Sequence, residues 1–162
     1  MPAEDYPVTT AVRELRDYRV EFQPHLYKYI EHGGTKASAD ALGISEHEIV
    51  KTLVMETDGH QPLIVLMHGD REVSTKQLAR QIGAKHVVLC TADAATRHTG
   101  YQFGGTSPFG TRKKIPVYVE KSILSLRKIY INGGKRGFLL EIDPAELKRV
   151  LAPVEVEVAI TS

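Results

Sequence analysis

The stretch Glu48-Ile49-Val50-Lys51-Thr52-Leu53-Val54-Met55-Glu56-Thr57-Asp58-Gly59-His60-Gln61-Pro62-Leu63-Ile64-Val65-Leu66-Met67 reads as two strands joined by a turn. Residues 48–57 are rich in β-branched and apolar types, which suit a pleated, half-buried surface. Asp58-Gly59 is a strong signal for a tight hairpin turn. Residues 63–67 are apolar at every position, so this strand is expected to be central and covered on both faces. Lys51 interrupts the first strand. Alternation places it on one face with Ile49, Leu53 and Met55, and lysine is rarely buried without a partner. Two readings of Lys51 stand at this point. It is either a strand-end side chain whose head reaches water, or a fixed positive charge at a pocket floor, suited to a phosphate or a polarised carbonyl.

Upstream of this hairpin, Thr9 precedes Val12 and Leu15 at helical spacing and predicts a capped helix over 9–18. Residues 19–22 alternate like a strand that Pro24 breaks, and residues 25–30 alternate again. Thr35 is expected to cap a short helix that Gly43 closes. Downstream, Ser74 or Thr75 caps a helix over 76–82 ended by Gly83, residues 86–89 form a short strand, and Thr91 caps a helix up to His98. Residues 115–119 read as a strand and 121–126 as a short helix. Residues 128–131 and 136–142 flank Asn132-Gly133-Gly134 as a second hairpin. Asp143-Pro144 opens a last helix, and residues 154–158 alternate with glutamates as an edge strand or tail. Two hairpins among short helices, with no regular βαβ repeat, predict an α+β fold: a mixed, largely antiparallel, curled β-sheet with packed helices.

The 162 residues fit one domain, 1–162, with a real core. A hydrophobic share of 42% and a charged share of 25% are those of an ordinary globular protein. The net charge of +1 announces no nucleic-acid partner globally, so any such contact depends on local basic clusters. The single Cys90 excludes an intrachain disulfide and suggests a reducing compartment. No apolar run has the length of a membrane span and Met1-Pro-Ala-Glu-Asp does not open like a signal peptide, so a cytoplasmic protein with no membrane partner is expected. The seven histidines are scattered along the chain and there is one Cys, so neither a metal nor a cofactor is expected.

A second informative stretch is Gly100-Tyr101-Gln102-Phe103-Gly104-Gly105-Thr106-Ser107-Pro108-Phe109-Gly110, which holds four of the 13 glycines. Glycine lets bare backbone approach a ligand, Pro108 stiffens the loop, and the three aromatic rings seek burial. The loop matches neither a P-loop nor a dinucleotide fingerprint, Ser107 lacks the setting of a hydrolase nucleophile, and a plain tight turn remains an alternative. Arg112-Lys113-Lys114 and Lys135-Arg136 are basic clusters suited to a phosphate-binding rim or to a solvated charged face.

Lys51-Thr52-Leu53, Thr99-Gly100-Tyr101, Gly104-Gly105-Thr106-Ser107-Pro108-Phe109-Gly110 and Ile131-Asn132-Gly133-Gly134-Lys135-Arg136-Gly137 together resemble the YbaK family of aminoacyl-tRNA deacylases. That family is related to the editing domain of bacterial prolyl-tRNA synthetases. Ala39-Asp40-Ala41-Leu42-Gly43-Ile44 also fits, and the likeness covers about residues 25–151. The resemblance implies an enzyme that removes a wrong amino acid from tRNA, chiefly tRNA(Pro), and it looks most like the branch that clears Cys-tRNA(Pro). It implies that Lys51 holds the ester end of the tRNA, and that Gly104 and Pro108 are the ends of a Gly-x-x-x-Pro loop at the amino acid. Tyr27, Gly105, Thr106, Ser107, Asn132, Gly133 and Gly134 would line the substrate pocket. Arg112, Lys113, Lys114, Lys135 and Arg136 would hold tRNA phosphates. Asn132 stands where cysteine-type members often have Ser, which leaves the amino acid (Cys, Ala, or Ser and Thr) open. A transient complex with prolyl-tRNA synthetase is also implied. The competing class is a non-catalytic module that uses the pocket for a nucleotide, an amino acid or a synthetase partner.

Overall fold

The computed structural model describes residues 5–161. Helix α1 (Thr10–Asp17) leads to strand β1 (Gln23–Leu26), helix α2 (Gly34–Leu42) and the long strand β2 (Ile49–Thr57), which turns at Asp58-Gly59 into β3 (Pro62–His68). Strand β4 (Arg71–Val73), helix α3 (Thr75–Ile82), strand β5 (Val87–Leu89) and helix α4 (Ala92–Thr99) follow. After the glycine-rich loop come β6 (Val117–Glu120), a 3₁₀ turn (Lys121–Ser125), the hairpin β7 (Ile129–Asn132) and β8 (Phe138–Ile142), helix α5 (Ala145–Leu151), and the short strands β9 (Val154–Val156) and β10 (Ala159–Thr161).

The main sheet runs β1-β8-β7-β2-β3-β6-β9, and β5 also pairs with β2. The β2–β7, β3–β6 and β6–β9 pairs are parallel, and the remaining pairs are antiparallel. This is the mixed, largely antiparallel α+β arrangement that the two hairpins predict. β3 is central as its continuous apolar run requires, with residues 63–68 all buried. Its alternate residues feed two cores. Ile64 and Leu66 join Val50, Val54, α1, α5 and the rings of Tyr101 and Phe109 on one face. Leu63, Val65 and Met67 join Leu53, Met55 and α3 on the other. A small third cluster, Ala39, Ile49, Tyr130 and Leu139, seats α2 beside the second face.

The caps behave as their chemistry dictates. The side chains of Thr9, Ser74 and Thr91 accept from the amides of Val12, Gln77 and Ala94, and Gly43, Gly83 and Gly100 close their helices in the left-handed region. Two expectations are corrected. Residues 19–22 form no strand, and Pro24 breaks none: β1 begins at Gln23 and runs through Pro24, because β1 is an edge strand and the missing N–H faces no neighbour. Thr35 does not cap α2, whose N-cap is Gly33. Its hydroxyl instead donates to Glu46 Oε2 at 2.6 Å and approaches the Gly69 carbonyl at 3.1 Å, tying α2 to the β3–β4 turn. The expected edge strand near the C-terminus is present as β9 at the edge of the main sheet, and β10 adds to β4. Buried Glu120 holds the bend between them by accepting the amides of Val158 (2.7 Å) and Ala159 (3.1 Å). No helix among the described residues is long and apolar enough to cross a membrane.

Candidate active site

Register brings the site together. β7 pairs with β2 only at Ile49↔Tyr130 and Val50↔Ile131, and β5 takes over that edge from Met55 onward. Residues 51–53 of β2 therefore have no strand beside them on that edge, and a notch opens in the sheet. Lys51 lies at its start, next in register to Asn132. Alternation puts both on the face of Ile49 and Tyr130. In the same notch Thr52 Oγ1 is buried with no hydrogen-bond partner among the described residues.

Lys51 is not a strand-end side chain. It is the third residue of a nine-residue strand, opposite buried Met67, and its side chain is 20% exposed. Nζ donates to the Arg71 carbonyl at 2.5 Å and lies 3.6 Å from Glu72 Oε2. An ammonium carries three donors, so one remains for a ligand. β4 thus fixes the lysine head from one side.

The glycine loop closes on the notch from the other side. Tyr101 and Phe109 are buried in the main core, and the Tyr101 hydroxyl bonds the Phe109 carbonyl at 2.6 Å and Thr10 Oγ1 at 2.9 Å. Burial pushes the Tyr101 phenol up, so it remains a donor. Ser107 and Pro108 are buried beneath the loop, and Ser107 Oγ accepts the Phe109 amide at 3.2 Å. Thr106 is half-buried and Gly104 is exposed at the tip. Gly104 sits at φ +86°, and a Cβ there would lie 2.6 Å from Tyr29 Oη. A Cβ on Gly105 would meet backbone, 2.7 Å from the Arg136 amide nitrogen. Glycine is required at both, by conformation at the first and by close approach at the second.

Asn132 stitches the loop to the β7–β8 turn. Its Nδ2 donates to the Gly104 carbonyl at 3.3 Å, while Oδ1 accepts the amides of Gly134 (2.6 Å) and Lys135 (3.1 Å). Arg136 adds a second tie: Nε donates to the Phe103 carbonyl at 2.8 Å, and the guanidinium lies 5.0 Å from the centre of the Tyr29 ring. Tyr27 packs on the Ile49–Tyr130 cluster, on the lysine face.

Lys51, Tyr27, Asn132, Gly104 and Gly105 therefore gather around one notch. Gly133 and Gly134 lie against the core: Cβ atoms there would meet Phe138 at 2.5 Å and Tyr101 at 2.9 Å. Arg112 stands at the loop's start, against Gly100 and the Arg97 carbonyl. Lys113, Lys114 and Lys135 are exposed, with no carboxylate partner among the described residues. Sequence reasoning missed Tyr29, Arg71 and Glu72. The Tyr27-x-Tyr29 alternation signals the first, and nothing local signals the others. A shallow concavity between α3 and β5, lined by Thr75, Ala79, Lys85 and Val87 among others, includes none of the site residues.

Two of the histidines meet in space. His47 and His68 stack with centroids 3.9 Å apart, and His47 Nδ1 meets Asp70 Oδ1 at 2.8 Å. Burial raises the Asp70 carboxyl, but the His47 bond and the charges of His47 and Arg71 outweigh it, for a net lowering. His68 is buried, with Nδ1 on the His47 carbonyl (2.8 Å) and Nε2 on Ser122 Oγ (2.7 Å). The carbonyl only accepts, so Nδ1 carries the proton. Burial holds His68 below its ordinary 6.5. Below pH 6.5 the unfolded chain takes up a proton that the native ring refuses, so this group's penalty grows as pH falls until the native value is passed. We expect the melting temperature to fall between about pH 7 and 5, and to fall less in His68→Asn. An equal slope in both proteins counts against this account.

Cys90 packs on the main core as a small hydrophobe, though only half-buried. It touches the main core on one side and Glu56 on the other, and burial first, then the Glu56 charge, pushes its thiol up to about 11.

The fold thus sets a lysine with a largely buried stem and a glycine loop, tied to it through Asn132, at one notch in the sheet. Residues 33–150 match the family model described as an aminoacyl-tRNA editing domain, and the chain belongs to that family. A protein of Enterococcus faecalis provisionally named a Cys-tRNA(Pro)/Cys-tRNA(Cys) deacylase, EbsC, is 31% identical over 137 residues, 84% of each chain. A crystal structure of hypothetical protein APE2540 superposes with a TM-score of 0.86 at 27% identity, over 94% of this chain and 100% of that one. A structure provisionally described as a trans-editing enzyme for prolyl tRNA synthetase shares the fold, with a TM-score of 0.81 at 19% identity over 93% and 95% of the two chains. The family's activity, deacylation of aminoacyl-tRNA, is the class to which this protein belongs.

Proposed function

We propose that the protein acts in trans to remove cysteine from Cys-tRNA(Pro). The observation that carries this reading is the notch itself: Lys51 and Asn132 side by side, with Asn132 fastened to the Gly104 carbonyl. The terminal ribose and ester lie toward Lys51, whose remaining donor meets an ester or phosphate oxygen. The aminoacyl side chain enters between Lys51 and the loop from Gly104 to Pro108. Loop backbone held at both ends by Tyr101, Asn132 and Arg136 excludes larger side chains by size. The amides of Gly104 and Thr106, which meet no acceptor among the described residues, suit a developing oxyanion.

Among the described residues placed above at the notch there is no His, and the one carboxylate, Glu72, is turned to Lys51. Water is one candidate nucleophile, and the resemblance to cysteine-type deacylases favours the other, the substrate's own thiol. Its sulfur bonds the carbonyl carbon as the bond from that carbon to the ribose oxygen breaks, and the thiol proton ends on the departing ribose hydroxyl. Positioning supplies the rate. The exposed Lys113, Lys114 and Lys135 flank the loop and contact tRNA phosphates without reading sequence. A transient complex with prolyl-tRNA synthetase would deliver the substrate.

The test is release of amino acid from tRNA(Pro) charged with Cys, Ala or Ser. Fast release of Cys alone is expected. Release of Ala or Ser in preference to Cys would reassign the pocket, and release of none by folded protein would leave only a binding module.

A further inference from the structure

A second cluster lies at the far end of β2. Glu56 opposes Val88 across the β2–β5 pair, and the Cys90 amide donates to the Val54 carbonyl at 3.0 Å. Alternation therefore sets Val54, Glu56 and Cys90 on one face of the sheet. Helix α4 crosses that face. Ala95 packs into the core there, and His98, three residues on, points the same way. His98 Nε2 meets Glu56 Oε2 at 2.8 Å. The three ligand atoms of Glu56, Cys90 and His98 all lie within 4.8 Å of one another. His60 Nδ1 stands 3.6 Å from the other Glu56 oxygen.

We infer that Glu56, Cys90 and His98 form a binding site for a divalent transition-metal cation, zinc by preference. A thiol, an imidazole and a carboxylate converging on one point are the mixed S, N and O donor set that suits zinc. Tetrahedral zinc bonds of about 2.0–2.3 Å need ligand atoms roughly 3.3–3.7 Å apart, so side-chain rotations of about an ångström complete the site. Three protein ligands leave a fourth position for water or His60. Side chains of Glu56 and His98 are 17% and 14% exposed, so the donors are held by the fold yet reachable. Binding releases the Cys90 thiol proton to solvent as the sulfur–metal bond forms. The His98 proton leaves Nε2, with the ring rebound as the other tautomer. Two negative ligands then balance the dication.

The alternative cluster, His47, His68 and Asp70, is the weaker metal site. Both ring nitrogens of His68 and Nδ1 of His47 already have partners there. The first cluster also has a structural consequence. Cys90 immediately precedes the N-cap of α4, and His98 lies in its last turn. A cation would clamp both ends of that helix to β2, and the glycine loop starts at Gly100, two residues beyond His98. Metal occupancy would stiffen that wall of the deacylase pocket. The site itself stands independently of which aminoacyl-tRNA the protein edits.

The experiment is titration of chelator-stripped full-length protein with cobalt(II), followed by absorbance. A thiolate-to-cobalt charge-transfer band that saturates at one equivalent and is bleached by zinc is expected. Cys90→Ser should abolish the band. His98→Asn and Glu56→Gln should weaken binding by at least the roughly 10–100-fold that losing even an outer-shell partner costs. Circular dichroism of the stripped variants separates ligand loss from unfolding, and Glu56→Gln, isosteric with the original, keeps the test open if His98→Asn fails to fold. His47→Ala should bind as the parent does. Absence of the charge-transfer band, or cobalt d–d absorbance that appears without it and disappears in His47→Ala, overturns the assignment.

Discussion

Lys51→Ala is expected to lower the rate of aminoacyl-tRNA deacylation by a factor on the order of 10²–10³, the loss typical of one preorganised donor at a developing charge. The folded state should lose much less. The side chain gives one hydrogen bond to the Arg71 carbonyl and one longer ion pair with a half-exposed Glu72, together worth about 1 kcal/mol. Activity and stability therefore separate in this variant. Single-turnover deacylation beside a denaturant midpoint checks it. A lysine that only anchored β4 would show the reverse: a lower midpoint and an unchanged rate per folded molecule. Lys51→Arg sharpens the comparison, since it keeps the charge but enlarges the head in a notch fixed on two sides.

Gly104→Ala is expected to cost more than an exposed Gly→Ala change should, and for two separable reasons. At φ +86° an L-residue is strained by roughly 1–2 kcal/mol. The new Cβ would also stand 2.6 Å from Tyr29 Oη, inside any real contact distance, so the loop or the ring must move. Movement there breaks the Asn132–Gly104 bond and reshapes the proposed pocket, and activity should fall at least tenfold, as small displacements at a reacting centre do. Gly104→Ala with Tyr29→Phe removes the nearest clash and leaves the backbone strain. The double variant should therefore recover part of the activity. Equal rates for the single and double variants would show that the Tyr29 contact does not shape the site.

Much of this architecture is local and is carried by short-range chemistry. The Asp58-Gly59 turn, the Thr9, Ser74 and Thr91 caps and the closing glycines each act within about four residues of chain, which is the reach of a side-chain cap or a hairpin turn. The apolar run of β3 announces a strand covered on both faces, and the fold covers it. Local preference fails where the tertiary setting overrides it. Pro24 is harmless only because β1 is an edge. The hydroxyl of Thr35 has a better use 11 and 34 residues away than at its own helix end. β4 and β10 are too short to be seen until they pair.

For the site, the residue types are legible along the chain and their arrangement is not. Lysine inside an apolar strand and a glycine-rich loop with aromatic rings both point to chemistry on sequence grounds alone. The notch between them exists because β7 leaves β2 after Ile131 and β5 joins it only at Met55. That register joins segments some 80 residues apart in the chain, and no local propensity encodes it. The same holds for Glu56, Cys90 and His98. The sequence by itself determined most of the helices and the longer strands, and that Lys51 and the glycine loop are out of place in an ordinary core. Only the tertiary structure decided which of these residues meet, because strand pairing and helix docking are settled by burying shared apolar faces.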